Sequence, residues 1–240
     1  AASDVYKRQI VLLKNKDKLL PLKKDIRTLA VIGPNADNVY NMLGDYTAPQ
    51  ADGTVVTVLD GIRQKVSKET RVLYAKGCAV RDSSRTGFKD AIETARNADT
   101  VVMVMGGSSA RDFSSEYEET GAAKVTINQI SDMESGEGYD RATLHLMGRQ
   151  LELLEEISRL GKPVVLVLIK GRPLLLEGIE AEVDAIVDAW YPGMQGGNAV
   201  ADVLFGDYNP AGRLTISVPR SVGQLSLIHI SEPTRPLYIS

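Results

Sequence analysis

The sequence has almost no cysteine and almost no histidine. Cys78 is the only thiol in 240 residues, which excludes an internal disulfide framework and a cysteine-rich metal site. Two histidines are too few for an imidazole zinc site, and no spacing of carboxylates replaces them. No apolar run approaches the roughly 18 residues of a membrane helix. Neither charge is in large excess. The 28 basic and 31 acidic side chains leave −3, so no field draws the chain to nucleic acid or to an anionic membrane. The GxxxxGK[ST] and GxGxxG phosphate loops are missing, as is a GxSxG nucleophile elbow.

What is present is the composition of a globular domain, 43% hydrophobic and 25% charged. The length suits one large domain or two small ones. A compact chain of this size buries roughly 70–75% of its unfolded surface, enough for a true core.

The two ends read differently from the rest. Asp4–Gln9 back-translates as GATGTGTATAAGAGACAG, whose reverse complement encodes Leu-Ser-Leu-Ile-His-Ile, residues 225–230. One short DNA element in opposite orientations accounts for both ends, and it resembles a transposon end used in sequencing libraries. Residues 1–9 and 225–240 are therefore expected to be non-native, adapter-derived tails flanking a domain at 10–224. His229 falls in the second tail, which leaves His145, between two leucines, as a core or interface histidine.

Between the tails, short β-branched runs recur at Leu29–Ile32, Val72–Ala75, Val101–Met105, Val164–Ile169 and Ala185–Ala189. Their near-continuous apolar character predicts strands buried on both faces of a parallel sheet. Helical periodicity falls between them. Phe88–Ala98 aligns Phe88, Ala91, Ile92, Ala95 and Ala98, and Met147–Leu160 aligns Leu151, Leu154 and Ile157, stopped by Gly161 and Pro163. The alternation predicts an α/β fold, a mostly parallel open sheet with helices on both faces. Leu214–Val218 reads as an edge strand that could run antiparallel.

Ligands of such sheets bind beyond the carboxyl ends of the strands. Three loops leave those ends: 33–50, 106–146 and 191–199. The second is far longer than an ordinary strand–helix connection, and long loops are often functional. It contains "SDMESGEGYDRATLHL", Ser131–Leu146. Gly136 and Gly138 flank Glu137 there and let backbone bend sharply and a ligand approach closely. Tyr139, Asp140 and Arg141 are placed to brace the loop. Glu137 is thus a candidate catalytic carboxyl, with Glu134 second. "PGMQGGNA" (192–199) reads equally as an anion-binding helix start or as close strand–helix packing. "GGSSA" (106–110), which follows a strand, lacks the spacing of a phosphate cradle.

"GEGYDRATLHLMGRQLELLEEI" resembles the acid/base segment of family 3 glycoside hydrolases. So do "IVLLKNKDKLLPL" (Ile10–Leu22), "VIGPNAD" (Val31–Asp37), "KGRPL" (Lys170–Leu174), "AWYPGMQGGNAVADVLFGDYNPAGRL" (Ala189–Leu214) and "SVPRSVGQL" (Ser217–Leu225). They run in family order and match the second, α/β-sandwich domain of β-glucosidases and β-xylosidases. The insert Gly106–Val125 is similar to that of bacterial enzymes acting on plant cell-wall glucans and xylans. The resemblance implies a retaining mechanism, in which two carboxyl groups stand about 5–5.5 Å apart. It implies that Glu137 is the acid/base, and that the nucleophile is an aspartate on a preceding (β/α)8 barrel without which the domain is inactive. It makes Tyr46, in "GDYT" (Gly44–Thr47), a platform for the leaving-group sugar. The implied partners are that barrel and β-linked glucosyl or xylosyl oligosaccharides, with no metal or organic cofactor. A periplasmic or secreted location is expected from the same resemblance. A non-catalytic carbohydrate-binding or protein-interaction module is the alternative.

Overall fold

The computed structural model describes residues 2–110, 132–136 and 139–224. Among them six strands form one sheet: β1 (Val11–Asn15), β2 (Thr28–Ile32), β3 (Arg71–Ala75), β4 (Thr100–Gly106), β5 (Val164–Ile169) and β6 (Ala185–Trp190). Their order is β1-β6-β5-β4-β2-β3, parallel throughout except for β1, which runs antiparallel along β6.

The central strands are apolar on both faces because both faces are covered. Val31, Val102, Val104, Val165 and Val187 point to one side. There they pack against α2 (Val58–Lys65) and α6 (Gly196–Leu204). Ile32, Met103, Met105, Leu166 and Ile186 point to the other. That side is covered by α3 (Phe88–Arg96), α4 (Gln150–Ser158) and the single turn α5 (Ile179–Glu182). The period-2 alternation of a strand sorts the two sets, and each fully buried Val, Leu or Ile contributes about 1.5–3 kcal/mol. α2 and α6 cross in very close contact. A Cβ on Gly61 would lie 2.1 Å from the Gly197 carbonyl oxygen, and one on Gly197 would lie 1.9 Å from that of Thr57. The glycines of "PGMQGGNA" are thus explained by packing, and the Gly196 and Gly197 N–H groups already bond the Gly193 and Val56 carbonyls.

Two expectations need correction. The antiparallel edge strand is β1, not Leu214–Val218. Leu214 and Ile216 are exposed, and β1 already occupies the outer edge of β6. In α4 the buried stripe is Gln150, Leu153, Leu154 and Ile157, with Leu151 only partly covered, so the helix is rotated from the expected phase. Residues 2–7, within the segment expected to be a non-native tail, form helix α1 (Ala2–Lys7) against α6, with Tyr6 over Gly193 and Lys7 paired with Asp202 at 2.5 Å.

Candidate active site

After β2 the chain crosses to one side of the sheet for β3 and returns to the other for β4. The reversal opens a switch point between β2 and β4 at the carboxyl edge, where open α/β sheets bind ligands. The loops after β2, β4 and β6 all leave that edge.

The turn after β2 is pressed onto β4. Gly33 has φ +133°, and a Cβ there would lie 2.1 Å from the Val104 carbonyl oxygen, so only glycine fits. The β4 end is clasped by Gln150 at the start of α4. Its amide donates to the Gly106 and Val80 carbonyls at 2.9 and 3.1 Å and accepts the Gly106 N–H at 2.9 Å. Segment 132–136 is tied down in turn. The Asp132 carboxylate accepts the Val80 N–H at 3.0 Å, and Arg81 donates to the Met133 carbonyl at 2.7 Å.

Glu134 is buried beneath this segment. Its carboxylate lies against Gly107, where a Cβ would come within 1.9 Å of Oε1. Oε2 pairs with Arg141 at 2.5 Å and lies 3.9 Å from Arg172. Arg141, whose side chain is only 4% exposed, also donates to the His145 carbonyl. Two guanidinium groups therefore hold one carboxylate. Tyr191 caps the cluster. Its hydroxyl is 3.2 Å from Ser135 Oγ, and its ring lies over Gly171 and Gly44, where a Cβ would meet it at 2.5 and 3.0 Å. Burial pushes the Tyr191 phenol above its ordinary pKa, with Glu134 adding to the rise and hydrogen bonds from Ser109 and Ser135 opposing it.

Glu137 and Gly138 lie outside the described residues. The residues before and after them are defined. Gly136 has φ +111°, with Met133 and the Asp45 carboxylate within 2.8 and 3.1 Å of where its Cβ would be. Tyr139 donates its N–H to the Gly136 carbonyl at 3.3 Å, and its ring lies 5.9 Å from the Arg81 guanidinium. Of the expected braces, Arg141 is fixed by Glu134 while Asp140 is exposed. Tyr46 is 73% exposed with φ +57°, its N–H bonded to the Asp45 carboxylate at 2.7 Å. A bulky residue in that backbone region is strained, as strained residues at functional sites often are. The Tyr46 loop and segment 132–136 meet through Asp45 and Gly136, so the structure brings these two parts of the expected site together. His145 is exposed, so it is not a core histidine; its flanking Leu146 is the buried residue.

Sequence reading missed the buried polar residues beneath the loops: Asn35, Asn41, Ser108 and Gln150. It also missed Lys170 and Asp188, an ion pair of 2.7 Å at the ends of β5 and β6, with the lysine 3.8 Å from the Trp190 ring centre. Burial raises the Asp188 carboxyl pKa, and Lys170 opposes the rise. Cys78 is buried and its thiol is pushed up to about 12, mainly by desolvation, so it is no nucleophile. Among the described residues no three His, Cys, Asp or Glu side chains converge as a metal site.

The chain matches the glycosyl hydrolase family 3 C-terminal domain over residues 10–238. It is 41% identical to a β-xylosidase of Formosa agariphila, over 97% of this chain and 30% of that protein. A periplasmic β-glucosidase of Salmonella typhimurium is 36% identical over 95% of this chain and 29% of its own length. Among solved structures, a β-glucosidase from Erythrobacter marinus superposes with a TM-score of 0.76 at 35% identity, covering 93% of this chain and 30% of that one. The chain spans about three-tenths of the length of these relatives. Five parallel strands, an antiparallel edge and loops gathered at the β2/β4 switch point accompany the match, and the chain belongs to glycosyl hydrolase family 3, as its C-terminal domain.

Proposed function

We propose that this domain supplies the acid/base carboxyl of a retaining β-glycosidase, a β-glucosidase or β-xylosidase acting on plant cell-wall oligosaccharides. Glu137 is the acid/base, Tyr46 the platform for the leaving-group sugar, and the nucleophile an aspartate on a (β/α)8 barrel that precedes the domain in the whole enzyme. The observation that carries the reading is the commitment of Glu134. Of the two glutamates in the loop, Glu134 is buried and paired with Arg141 and Arg172, a structural use of its charge. That leaves Glu137 to meet substrate, with Gly136 and Gly138 on either side in sequence and Tyr46 exposed on the loop whose Asp45 meets Gly136.

In such a reaction Glu137 protonates the glycosidic oxygen as the bond to the barrel aspartate forms. Its carboxylate then takes a proton from the water that releases the sugar. The test joins residues 10–224 to a barrel from a family relative and compares wild type with Glu137→Ala on aryl β-glucosides and β-xylosides. Poor leaving groups need the acid most, so kcat/KM should fall about 100-fold or more for them and far less for activated ones. A uniform loss across the series, or none, removes Glu137 from the chemistry. The 240-residue chain alone should hydrolyse none of these substrates.

A further inference from the structure

Three polar side chains at the switch point are buried, yet every one of their polar atoms is used. Asn35 is 0%, Asn41 3% and Ser108 1% exposed. Ser108 Oγ donates to Asn41 Oδ1 at 2.6 Å, and Asn41 Nδ2 donates to Asn35 Oδ1 at 2.7 Å. Asn35 Nδ2 donates to the Gly107 carbonyl at 3.1 Å and the Ile169 carbonyl at 3.4 Å. Ser108 Oγ in turn accepts the Ala110 N–H at 3.1 Å. The chain has one direction, and each amide has only one orientation that satisfies its neighbours.

Two of its members, Asn41 and Ser108, lead to the two halves of the proposed site. Asn41 lies in the turn Tyr40–Met42, whose Tyr40 carbonyl accepts the Gly44 N–H at 3.0 Å, two residues before Tyr46. The backbone carbonyl of Ser108 accepts the Glu134 and Ser135 N–H groups at 2.8 and 3.2 Å, just before Glu137. Apolar side chains of similar shape would pack β2 against β4 at least as well. A directional polar chain adds a fixed separation and register between the loops.

We propose that Asn35, Asn41 and Ser108 are positioning residues that hold the Tyr46 loop and the segment leading into Glu137 in one fixed relation. The proposal rests on the acid/base reading of Glu137. Residues 35 and 41 share the loop after β2, while 108 and 134 come from two other stretches, so no single loop could keep this geometry alone. Small misplacements of a catalytic group are expensive in rate, which is why the support of the loop matters.

The test uses the same barrel-joined enzyme with Ser108→Ala, Asn41→Leu, Ser108→Thr and, as control, Glu137→Ala. Ser108→Ala and Asn41→Leu should each lower kcat about tenfold for the poorest leaving group and less than about twofold for the most activated one. Ser108→Thr, which keeps the hydroxyl, should restore most of the loss. In the 240-residue chain the same two variants should speed amide hydrogen exchange at Glu134 and Ser135 at least about tenfold, with β5 unchanged. Equal losses across the leaving-group series, or unchanged exchange at Glu134 and Ser135, overturns the proposal. Should Glu137→Ala itself show no leaving-group dependence, the acid/base reading has failed instead. The exchange measurement then decides the coupling of the loops by itself, as it does if a barrel-joined variant does not fold.

Discussion

At the amino edge of the sheet Arg27 pairs with Asp99 at 3.2 Å and Lys16 with Asp184 at 3.9 Å, all four in contact with solvent. At the carboxyl edge Lys170 pairs with Asp188 and Arg141 with Glu134, and none of these side chains is more than 4% exposed. The same chemistry serves different ends. The amino-edge aspartates also accept the first N–H of the neighbouring strand, Thr28 for Asp99 and Val164 for Asp184, and so finish the sheet where water is present. At the carboxyl edge the charges are dehydrated, which rarely adds stability over an apolar pair of the same shape. What dehydration adds there is fixed geometry around the switch point. The difference agrees with the proposed site at the carboxyl edge, even though the amino edge carries a cleft of about 410 Å3 lined by Lys16, Asp17, Lys162 and Asp184.

The largest effect that separates the two edges is expected from Lys170→Ala. It leaves the Asp188 carboxyl buried without its partner, which costs about 3–5 kcal/mol. Replacing both members by apolar residues, Lys170→Met with Asp188→Leu, should recover most of that stability. Arg27→Ala at the amino edge should leave the thermal midpoint almost unchanged. Chemical denaturation of the four proteins checks this. A Lys170→Ala variant no less stable than Arg27→Ala would erase the contrast.

A smaller, pH-dependent effect belongs to the amino edge. Hydrogen bonds from Lys24 and Lys65 hold the Asp207 carboxyl down to about 2 from its ordinary 3.8. Burial pushes Asp202 up, but Lys65 and Lys7 bring it below its ordinary value overall. Folded-state values below the unfolded ones mean that this stability is fully present above about pH 4 and drains away as the pH falls toward 2. Asp207→Asn should flatten that part of the stability profile. Because Asp207 reaches solvent, added salt should weaken the effect as well. A profile unchanged by Asp207→Asn would show that the network contributes nothing measurable.

The two edges also differed in how far the sequence revealed them. The strands were legible because both their faces are covered, so Val101–Met105 and Val164–Ile169 are apolar without interruption. β1 was less so. Leu12 is exposed and Lys14 and Asn15 are polar, as an edge allows, and the stretch stood out as a family motif rather than as a strand. Leu214–Val218 alternates like a strand but found no free edge of β6. At the carboxyl edge, Gly136 and Gly138 were legible from local sequence because glycines on either side of a carboxyl stand out, and Tyr46 only through the resemblance of its segment to the family. Asn35, Asn41 and Ser108 were not. Each looks like an ordinary loop residue, and its role depends on partners as many as 134 positions away. Gln150 offered one signal, a polar residue on the stripe that Leu153, Leu154 and Ile157 continue. The flanking glycines and the family motif favoured Glu137 in the sequence, but the contacts of Glu134 with Arg141 and Arg172 were not legible there.

That distinction between two glutamates three residues apart is the point most open to direct measurement. Glu134→Ala and Glu137→Ala are made in the barrel-joined enzyme and assayed on an activated aryl glycoside with and without azide, a small nucleophile that needs no general base. Azide is expected to raise the turnover of Glu137→Ala and to yield the β-glycosyl azide, as retention through a glycosyl-enzyme requires. Glu134→Ala is expected to lose stability through the stranded Arg141 and to show no rescue. Azide rescue of Glu134→Ala with none for Glu137→Ala, or rescue of neither, would contradict the assignment of Glu137 as the acid/base.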